Sequence, residues 1–162
     1  MSRDGEAEQG RALAWRAGLA FIAQPTVVAG VIPGAIVARG GAALQGPALG
    51  STVITVGTGL LLWCVRDFYA SGRGTLAPWD PPKRLVVVGL YRWSRNPMYL
   101  AVLTILAGWC LLVSSTTLVA YAGAVAIAFQ CRVIWGEEPW LARTFGEDWT
   151  AYTRSTPRWL LR

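Results

Sequence analysis

Two polar groups interrupt an otherwise apolar sequence, and their residue types suit the binding of a charged ligand. The first group spans residues 95–99, and the second is the acidic pair Glu137-Glu138. Asn96 favours the cap of a helix and Pro97 favours its first position, so free backbone N–H groups would begin there. A helix start of this kind attracts anions such as carboxylates. The sequence therefore predicts an anion-binding position at the first group.

The acidic pair follows directly on an apolar segment, where unpaired carboxylates are costly. Three arginines are available as partners, namely Arg92, Arg95 and Arg132. We expect the carboxylates of Glu137 and Glu138 either to form salt bridges with these arginines or to bind a cationic group of a ligand.

Other residue types argue against metal and thiol chemistry. The chain has no histidine, and its three cysteines lie inside apolar segments without a CxxC spacing. Neither a zinc site nor a Cys–His catalytic pair is therefore expected. We interpret Cys64, Cys110 and Cys131 as small apolar packing residues.

The composition excludes an ordinary soluble protein. Of the 162 residues, 54% are hydrophobic and 15% are charged, whereas soluble domains have roughly 25% charged residues. The net charge is +6, but the basic residues lie between apolar segments instead of forming one patch. This pattern favours anionic lipid over nucleic acid as a partner. We expect a single all-α, membrane-embedded domain over residues 1–162.

Four apolar segments are candidates for transmembrane helices, each of which needs about 20 residues. They cover residues 17–38, 51–69, 97–113 and 117–135. Gln24, Pro25 and Pro33 predict a kink or break in the first segment. The turn formers at residues 114–117 divide the last apolar region into a tight helical hairpin.

The distribution of Lys and Arg predicts the orientation of these helices. Fourteen of the fifteen basic residues fall in the two termini, in the segment between the second and third helices, or in the helix ends next to these segments (Arg66 and Arg132), and only Arg39 falls in the other loops. The positive-inside rule places both termini and residues 71–96 in the cytoplasm. We expect no cleavable signal, because Asp4, Glu6 and Glu8 replace a basic leader and the first apolar segment is too long.

The hairpin brings the two polar groups to the same membrane face, because a short turn places the ends of its helices side by side. An amphipathic helix follows the acidic pair, interrupted at Gly146, and the tail that ends at residues 156–159 is expected to pack back on the membrane surface over residues 71–99. The result is a cytoplasmic pocket with Arg, Glu, Asn and Tyr at its rim and apolar walls. Such a pocket suits a charged cofactor beside a lipid-like substrate.

The ordered motifs of this pocket resemble the superfamily of isoprenylcysteine carboxyl methyltransferases and phospholipid N-methyltransferases. Those membrane enzymes share Gly-x-Tyr, Arg-(His or Asn)-Pro-x-Tyr, a distant Glu-Glu, Phe-Gly and Tyr. The counterparts here are Gly89-Leu90-Tyr91, Arg95-Asn96-Pro97-Met98-Tyr99, Glu137-Glu138, Phe145-Gly146 and Tyr152. The resemblance covers roughly residues 72–158, and Gly74-Thr75-Leu76 with Pro81-Pro82 is similar to bacterial members, which implies a bacterial cytoplasmic membrane.

The resemblance implies S-adenosylmethionine as the methyl donor and both cytoplasmic segments, 71–96 and 136–162, as its binding elements. The implied cofactor contacts are Lys83, Arg84, Leu85, Val86, Tyr91, Asn96, Pro97, Met98, Tyr99, Glu137 and Glu138. The implied catalytic residues are Arg95, Glu137 and Arg132. In carboxyl-methylating relatives an Arg one turn before the first Glu orients the substrate. Val133 occupies that position here, and Arg132 is one residue away.

Several functions remain open at this stage. The donor ammonium would pair with Glu137 or Glu138, its carboxylate with Arg95 and the helix start, and its sulfonium with a Tyr ring. The acceptor, a lipid-like or small amphiphilic molecule, would receive the methyl group on a carboxyl oxygen, as in the isoprenylcysteine enzymes. Alternatives are an amine nitrogen of a phospholipid, a small amine, or a thiol. A non-catalytic membrane scaffold or lipid-binding subunit is the alternative from another class. The sequence predicts no oligomeric state.

Overall fold

A computed structural model describes residues 25–40, 43–72 and 84–160, and within these ranges most residues lie in helices joined by short non-helical segments. No β-strand occurs within these ranges, which confirms the all-α prediction. The apolar helices are α1 (Val27–Gly40), α2 (Pro47–Gly72), α3 (Pro97–Leu112) and α4 (Thr116–Arg132), and the amphipathic helix is α5 (Glu138–Ser155).

Two of these helices are long and apolar enough to cross a membrane. They are α2, over Pro47–Phe68, and the continuous helix that α4 forms with α5, over Thr116–Ser155, whereas α1 and α3 are shorter apolar helices. Large apolar side chains such as Leu62, Val119 and Ile127 are exposed on their outer faces, as lipid contact requires. The predicted boundaries of four crossings remain predictions, and residues 17–24 of the first lie outside the described part.

The predicted interruption of α1 takes the form of a π-helical turn, Val27–Val31, directly before Pro33. Pro33 has no N–H for the carbonyl of Ala29, and the N–H of Ile32 bonds to Val27 instead of Val28. Side chains of the hairpin supply the missing donors. The indole of Trp109 donates to the Ala29 carbonyl at 2.8 Å, and the hydroxyl of Tyr121 donates to the Val28 carbonyl at 2.8 Å. These bonds attach α1 to α3 and α4.

Helices α2 and α3 approach closely because glycines lie at their contact. A Cβ atom on Gly57 would lie 2.8 Å from the Ile105 side chain, and one on Gly108 would lie 2.8 Å from the backbone nitrogen of Ile54. Small residues at these two positions allow the backbones to pack tightly. Leu106 and its buried neighbours on α3 form a hydrophobic core, against which Ile54 and Leu61 of α2 pack together with residues of α1 and α4.

The turn between α3 and α4 is the predicted one. Helix α3 ends at Leu112, and the Ser115 hydroxyl caps α4 by accepting a hydrogen bond from the Leu118 N–H at 3.3 Å. This confirms the prediction that the Ser-Thr segment caps a helix and makes a turn. The two ends of the hairpin, residues 97 and 132, therefore lie on the same side of the molecule.

Helix α4 continues into α5 through a second π-helical turn, Val133–Glu137, in which the Glu138 N–H bonds to the Val133 carbonyl. The predicted interruption at Gly146 is present as a kink with φ 50° and ψ −112°. Beyond the kink, Trp149 and Tyr152 are buried against the segment that precedes α3. The amphipathic helix and the tail therefore fold back over the end of the hairpin.

Candidate functional site

A short 3₁₀ turn, Gly89–Arg92, forms one side of the site. Residues 84–88 lead into it as an extended segment without a partner strand in the described part of the chain. Tyr91 is buried with Val86 against Cys64 of α2. Its carbonyl accepts a hydrogen bond of 2.6 Å from the hydroxyl of Tyr152, which fixes the turn to α5. Burial raises the pKa of the Tyr91 phenol well above its usual range, so the hydroxyl stays protonated.

The start of α3 is held by the tail of the chain. The Asn96 side chain donates to the Arg158 carbonyl at 3.0 Å, and the Ser94 hydroxyl donates to the same oxygen at 3.1 Å. Asn96 occupies the cap position, with Pro97 first in the helix as predicted, but the Asn96 side chain makes no capping bond. The expectation that this side chain caps the helix was therefore wrong, because the distant carbonyl of Arg158 engages it instead.

Arg95 lies in a nearly buried ion cluster with Glu138. One nitrogen of its guanidinium is 2.8 Å from Oε1 of Glu138, and the two side chains are only 13% and 16% exposed. Arg158 holds the same carboxylate through both oxygens, at 2.9 and 2.7 Å. The guanidinium also lies over the ring of Trp149, 5.4 Å from its centre. Burial lowers the pKa of Arg95, and Glu138 opposes that effect.

One atom of Arg95 is not satisfied by this cluster. Its Nε is buried and has no hydrogen-bond acceptor among the residues that the structure describes. A buried donor on a charged group is costly unless something accepts its hydrogen bond. The atom therefore marks a position where an acceptor oxygen of a ligand would be stabilised.

Glu137 forms a second, more exposed cluster. Its Oε1 accepts hydrogen bonds from the Tyr99 hydroxyl and, at 2.8 Å, from Nε of Arg132. The side chains of Glu137 and Arg132 are 35% and 58% exposed, so solvent weakens this ion pair. The ring of Tyr99 packs on Phe129 with centroids 4.3 Å apart, which holds the hydroxyl toward the carboxylate.

The π-helical turn explains how Arg132 reaches Glu137. In an α-helix, residues three or four apart face each other, which would bring Val133 to Glu137. The extra residue in the turn Val133–Glu137 shifts this register by one. As a result, Val133 is fully buried, and Arg132, five residues before Glu137, makes the contact. The π-helical turn therefore compensates for the one-residue offset of Arg132 seen in the sequence.

The structure brings most of the predicted site residues to one end of the hairpin. They are Tyr91, Arg95, Asn96, Pro97, Met98, Tyr99, Arg132, Glu137 and Glu138, with Val86 packed beside Tyr91 and Met98. Arg84 is exposed and Leu85 is half-buried, and neither side chain shares a hydrogen bond or ion pair with this group in the described ranges. Lys83, like residues 74–76 and 81–82, lies outside the described residues.

Sequence reasoning missed two charged residues at this site. Arg158 is the bidentate partner of Glu138, and nothing in its local sequence indicates that contact. Asp67 was also missed, and its Oδ2 atom is buried without a hydrogen-bond donor in the described part of the chain. The signal for Asp67 was available, because it is an acidic residue at the end of an apolar helix, as Glu137 is.

The chain matches a known protein family. The family model described as phospholipid methyltransferase matches residues 46–148, more than half of the chain, and includes the Gly-x-Tyr turn, the start of α3 and the acidic pair. Searches of curated proteins and of solved structures returned no match. The chain therefore belongs to the phospholipid methyltransferase family, within the membrane superfamily that includes the isoprenylcysteine enzymes, and is a membrane methyltransferase.

Proposed function

We propose that the chain transfers a methyl group from S-adenosylmethionine to a lipid-like or small amphiphilic acceptor, at the end of the hairpin where Arg95 and Glu137 lie. The observation that carries this proposal is the buried Nε of Arg95, which lacks an acceptor in the described part of the chain. A guanidinium donor of this kind suits a carboxylate, because a charge-assisted hydrogen bond to it is strong.

The charged and polar groups at this end of the hairpin fit the charges of S-adenosylmethionine. Arg95 and the uncapped start of α3 would hold the carboxylate. Glu137 would accept the ammonium, since its partner Arg132 is exposed and screened by solvent. Glu138 is engaged by Arg95 and Arg158, so its proposed role is to position Arg95. The proposed contacts at residues 83–86 are less supported, although Val86 forms part of the apolar wall.

The chain's own residues would contribute orientation and exclusion of water. The bound donor supplies an activated methyl group on a sulfonium, and the faces of Tyr91 and Tyr99 are suited to lie near that cation. The apolar cluster around Tyr91, which includes Phe68 and Met98, keeps water from that side. Much of the rate acceleration would come from this alignment in a dry environment.

Arg132 would orient the acceptor from the more exposed side. Its guanidinium is 58% exposed, so it can contact an acceptor group that arrives from the membrane surface. The family supports a lipid-like acceptor. We propose that the reaction takes place on the cytoplasmic face of a bacterial membrane, with both termini on that side, as the distribution of basic residues predicts.

Donor binding tests the site directly. The full chain in detergent is titrated with S-adenosylhomocysteine, the demethylated product, by calorimetry. Arg95→Lys keeps a cation beside Glu138 but loses Nε, and Glu137→Gln loses the charge. Each variant should bind on the order of 10- to 100-fold more weakly. Arg92→Lys and Glu147→Gln, both at exposed positions, should bind like the original chain. Unchanged affinity in both site variants would overturn the assignment.

The acceptor class is identified by product mass. Membrane lipid extracts and small amphiphiles are incubated with the full chain and isotope-labelled S-adenosylmethionine. A labelled amine lipid, ester or thioether would distinguish nitrogen, oxygen and sulfur transfer. If the chain binds neither the donor nor its product, it is a scaffold or lipid-binding subunit instead of an enzyme that uses this donor.

A further inference from the structure

Asp67 is a charged residue near the end of α2 that the proposed donor site does not use. Its Oδ2 atom is enclosed by the protein and has no hydrogen-bond donor within residues 25–40, 43–72 and 84–160. The ion pairs in these ranges engage Glu137 and Glu138 but not Asp67. A carboxylate oxygen that loses its hydration without gaining a donor destabilises the protein. A feature of this kind is typical of a functional position.

The surroundings of Asp67 place it against the Gly-x-Tyr turn. Gly89 has a φ of +55°, and a Cβ atom there would collide with the Asp67 carboxylate and lie 3.4 Å from Nε1 of Trp63. The absence of a side chain at Gly89 therefore makes room for the carboxylate. The positive φ and the collision both oppose any larger residue, so the turn and the acid form one unit.

Asp67 and Glu137 are both close enough to Tyr91 to influence its phenol. Both carboxylates, together with Cys64 and Tyr152, contribute to the raised pKa of the Tyr91 phenol after the effect of burial. The side chains that pack around this phenol are apolar, including Phe68 and Met98. A ligand group near Tyr91 would thus find one carboxylate that is paired with Arg132 and one that has no arginine partner among the described residues.

The unpaired carboxylate is suited to a cationic nitrogen. Among the described residues, the two buried polar atoms without partners are Asp67 Oδ2 and Arg95 Nε, and they have opposite charge preferences. The donor already has a proposed partner for each of its charges, with Arg95 for the carboxylate and Glu137 for the ammonium. A second carboxylate therefore indicates a second cation, which would belong to the acceptor.

We propose that Asp67 determines acceptor specificity by binding the amine nitrogen of a phospholipid or small amphiphile, the alternative acceptor named above for this family. This inference rests on the proposed function. The carboxylate accepts a proton from the ammonium, which frees the nitrogen lone pair. The nitrogen then bonds to the methyl carbon while the carbon–sulfur bond gives its electron pair to sulfur. The product is a methylated ammonium, a neutral thioether and protonated Asp67, which returns its proton to solvent.

The test compares Asp67→Asn with the original chain on two readouts. Methyl transfer is measured to vesicles of phosphatidylethanolamine in phosphatidylglycerol, and binding of S-adenosylhomocysteine is measured by calorimetry. Asp67→Asn should lose on the order of 10- to 100-fold in kcat/KM for the amine lipid. Its affinity for the product should stay within about twofold, because Arg95 and Glu137 are intact. Asp148→Asn, an exposed aspartate on α5, is the matched control and should change neither value.

Thermal unfolding of the same samples separates a functional role from a structural one. Asp67→Asn removes the charge from a carboxylate whose buried Oδ2 has no donor in the described part of the chain, so the Tm of this variant should equal or exceed that of the original chain. If this variant does not fold, Asp67→Glu serves instead, because it keeps the charge and moves it by one methylene. Asp67→Glu should still prefer the amine lipid but with reduced kcat. Full kcat in that variant would contradict a role that depends on position.

Other outcomes would overturn the proposal in distinguishable ways. An unchanged kcat/KM in Asp67→Asn removes Asp67 from the reaction. Equal losses in product binding and kcat/KM assign the residue to the donor, through its ammonium or its ribose hydroxyls. Methylation of a carboxylate amphiphile such as a prenylated cysteine, with none of the amine lipid, excludes an amine acceptor. If the original chain does not bind S-adenosylhomocysteine, the proposed function itself has failed.

Discussion

Replacement of Glu138 by alanine should destabilise the protein far more than replacement of its second partner, Arg158. Glu138 is the only acid that contacts Arg95 in the described part of the chain, at 2.8 Å. In Glu138→Ala, Arg95 keeps its buried charge and loses its counter-ion. In Arg158→Ala, the pair between Arg95 and Glu138 remains, and the backbone carbonyl of residue 158 can still accept from Ser94 and Asn96.

The exposure of these side chains determines how much each substitution should lower the free energy of unfolding. Arg95 and Glu138 are 13% and 16% exposed, so the loss of Glu138 should cost about 3 kcal/mol, the lower end for a broken buried ion pair. Arg158 is 35% exposed, and solvent screens its bonds, so its loss should cost about 1 kcal/mol. For a chain of this size these costs correspond to Tm decreases of about 6–12 °C and about 2–4 °C.

Thermal unfolding in detergent, followed by tryptophan fluorescence, measures both values. Glu147→Ala, at an exposed position on α5, is the control and should stay within about 0.5 kcal/mol of the original chain. The reasoning is refuted if Glu138→Ala unfolds within about 1 kcal/mol of the original chain, or if Arg158→Ala costs as much as Glu138→Ala.

Three further predictions concern single hydrogen bonds and one titration. Tyr152→Phe leaves the buried Tyr91 carbonyl without its 2.6 Å donor, and should lower the free energy of unfolding by about 1–2 kcal/mol in the same assay. Ser115→Ala removes the cap on Leu118 and should cost about 1 kcal/mol, whereas Ser114→Ala, which removes no cap, should cost less than half as much. The raised pKa of Tyr91 implies that above pH 10, its usual value, the unfolded chain loses this proton while the folded chain keeps it. Stability should therefore fall as pH rises above 10, and Tyr91→Phe should reduce that fall relative to its own stability at pH 8; an equal fall in both would contradict the assigned pKa direction.

Local sequence patterns were sufficient to predict the elements that carry the site. The hairpin follows from the length of its apolar region and from the turn formers at residues 114–117, and the two pairs Arg95–Glu138 and Arg132–Glu137 were among the expected ion pairs. These predictions depended on hydrophobicity, charge and spacing, which act over short stretches of chain. The predicted hairpin also implied that the two polar groups would share one end of the molecule, and they do.

The features that could not be predicted depend on contacts between distant parts of the chain. Asn is a residue type that favours the cap of a helix, but the side chain of Asn96 donates its hydrogen bond to a carbonyl 62 residues away. The register of Arg132 changes because a π-helical turn, Val133–Glu137, follows α4, and Val133 in that turn is buried. Neither effect has a signature in hydrophobic periodicity, since both are decided only when the helices have packed.

The bonds between the start of α3 and the tail have a consequence for biosynthesis. Arg95 donates its backbone N–H to the Pro157 carbonyl at 2.9 Å, and Ser94 and Asn96 both bond to residue 158. The hydrophobic hairpin can enter the membrane while the ribosome is still translating, but residues 157 and 158 are then not yet available. The end of the hairpin that carries the candidate site is therefore completed only after the hairpin itself, and a nascent chain in the membrane is expected to lack these bonds until residues 157 and 158 have left the ribosome.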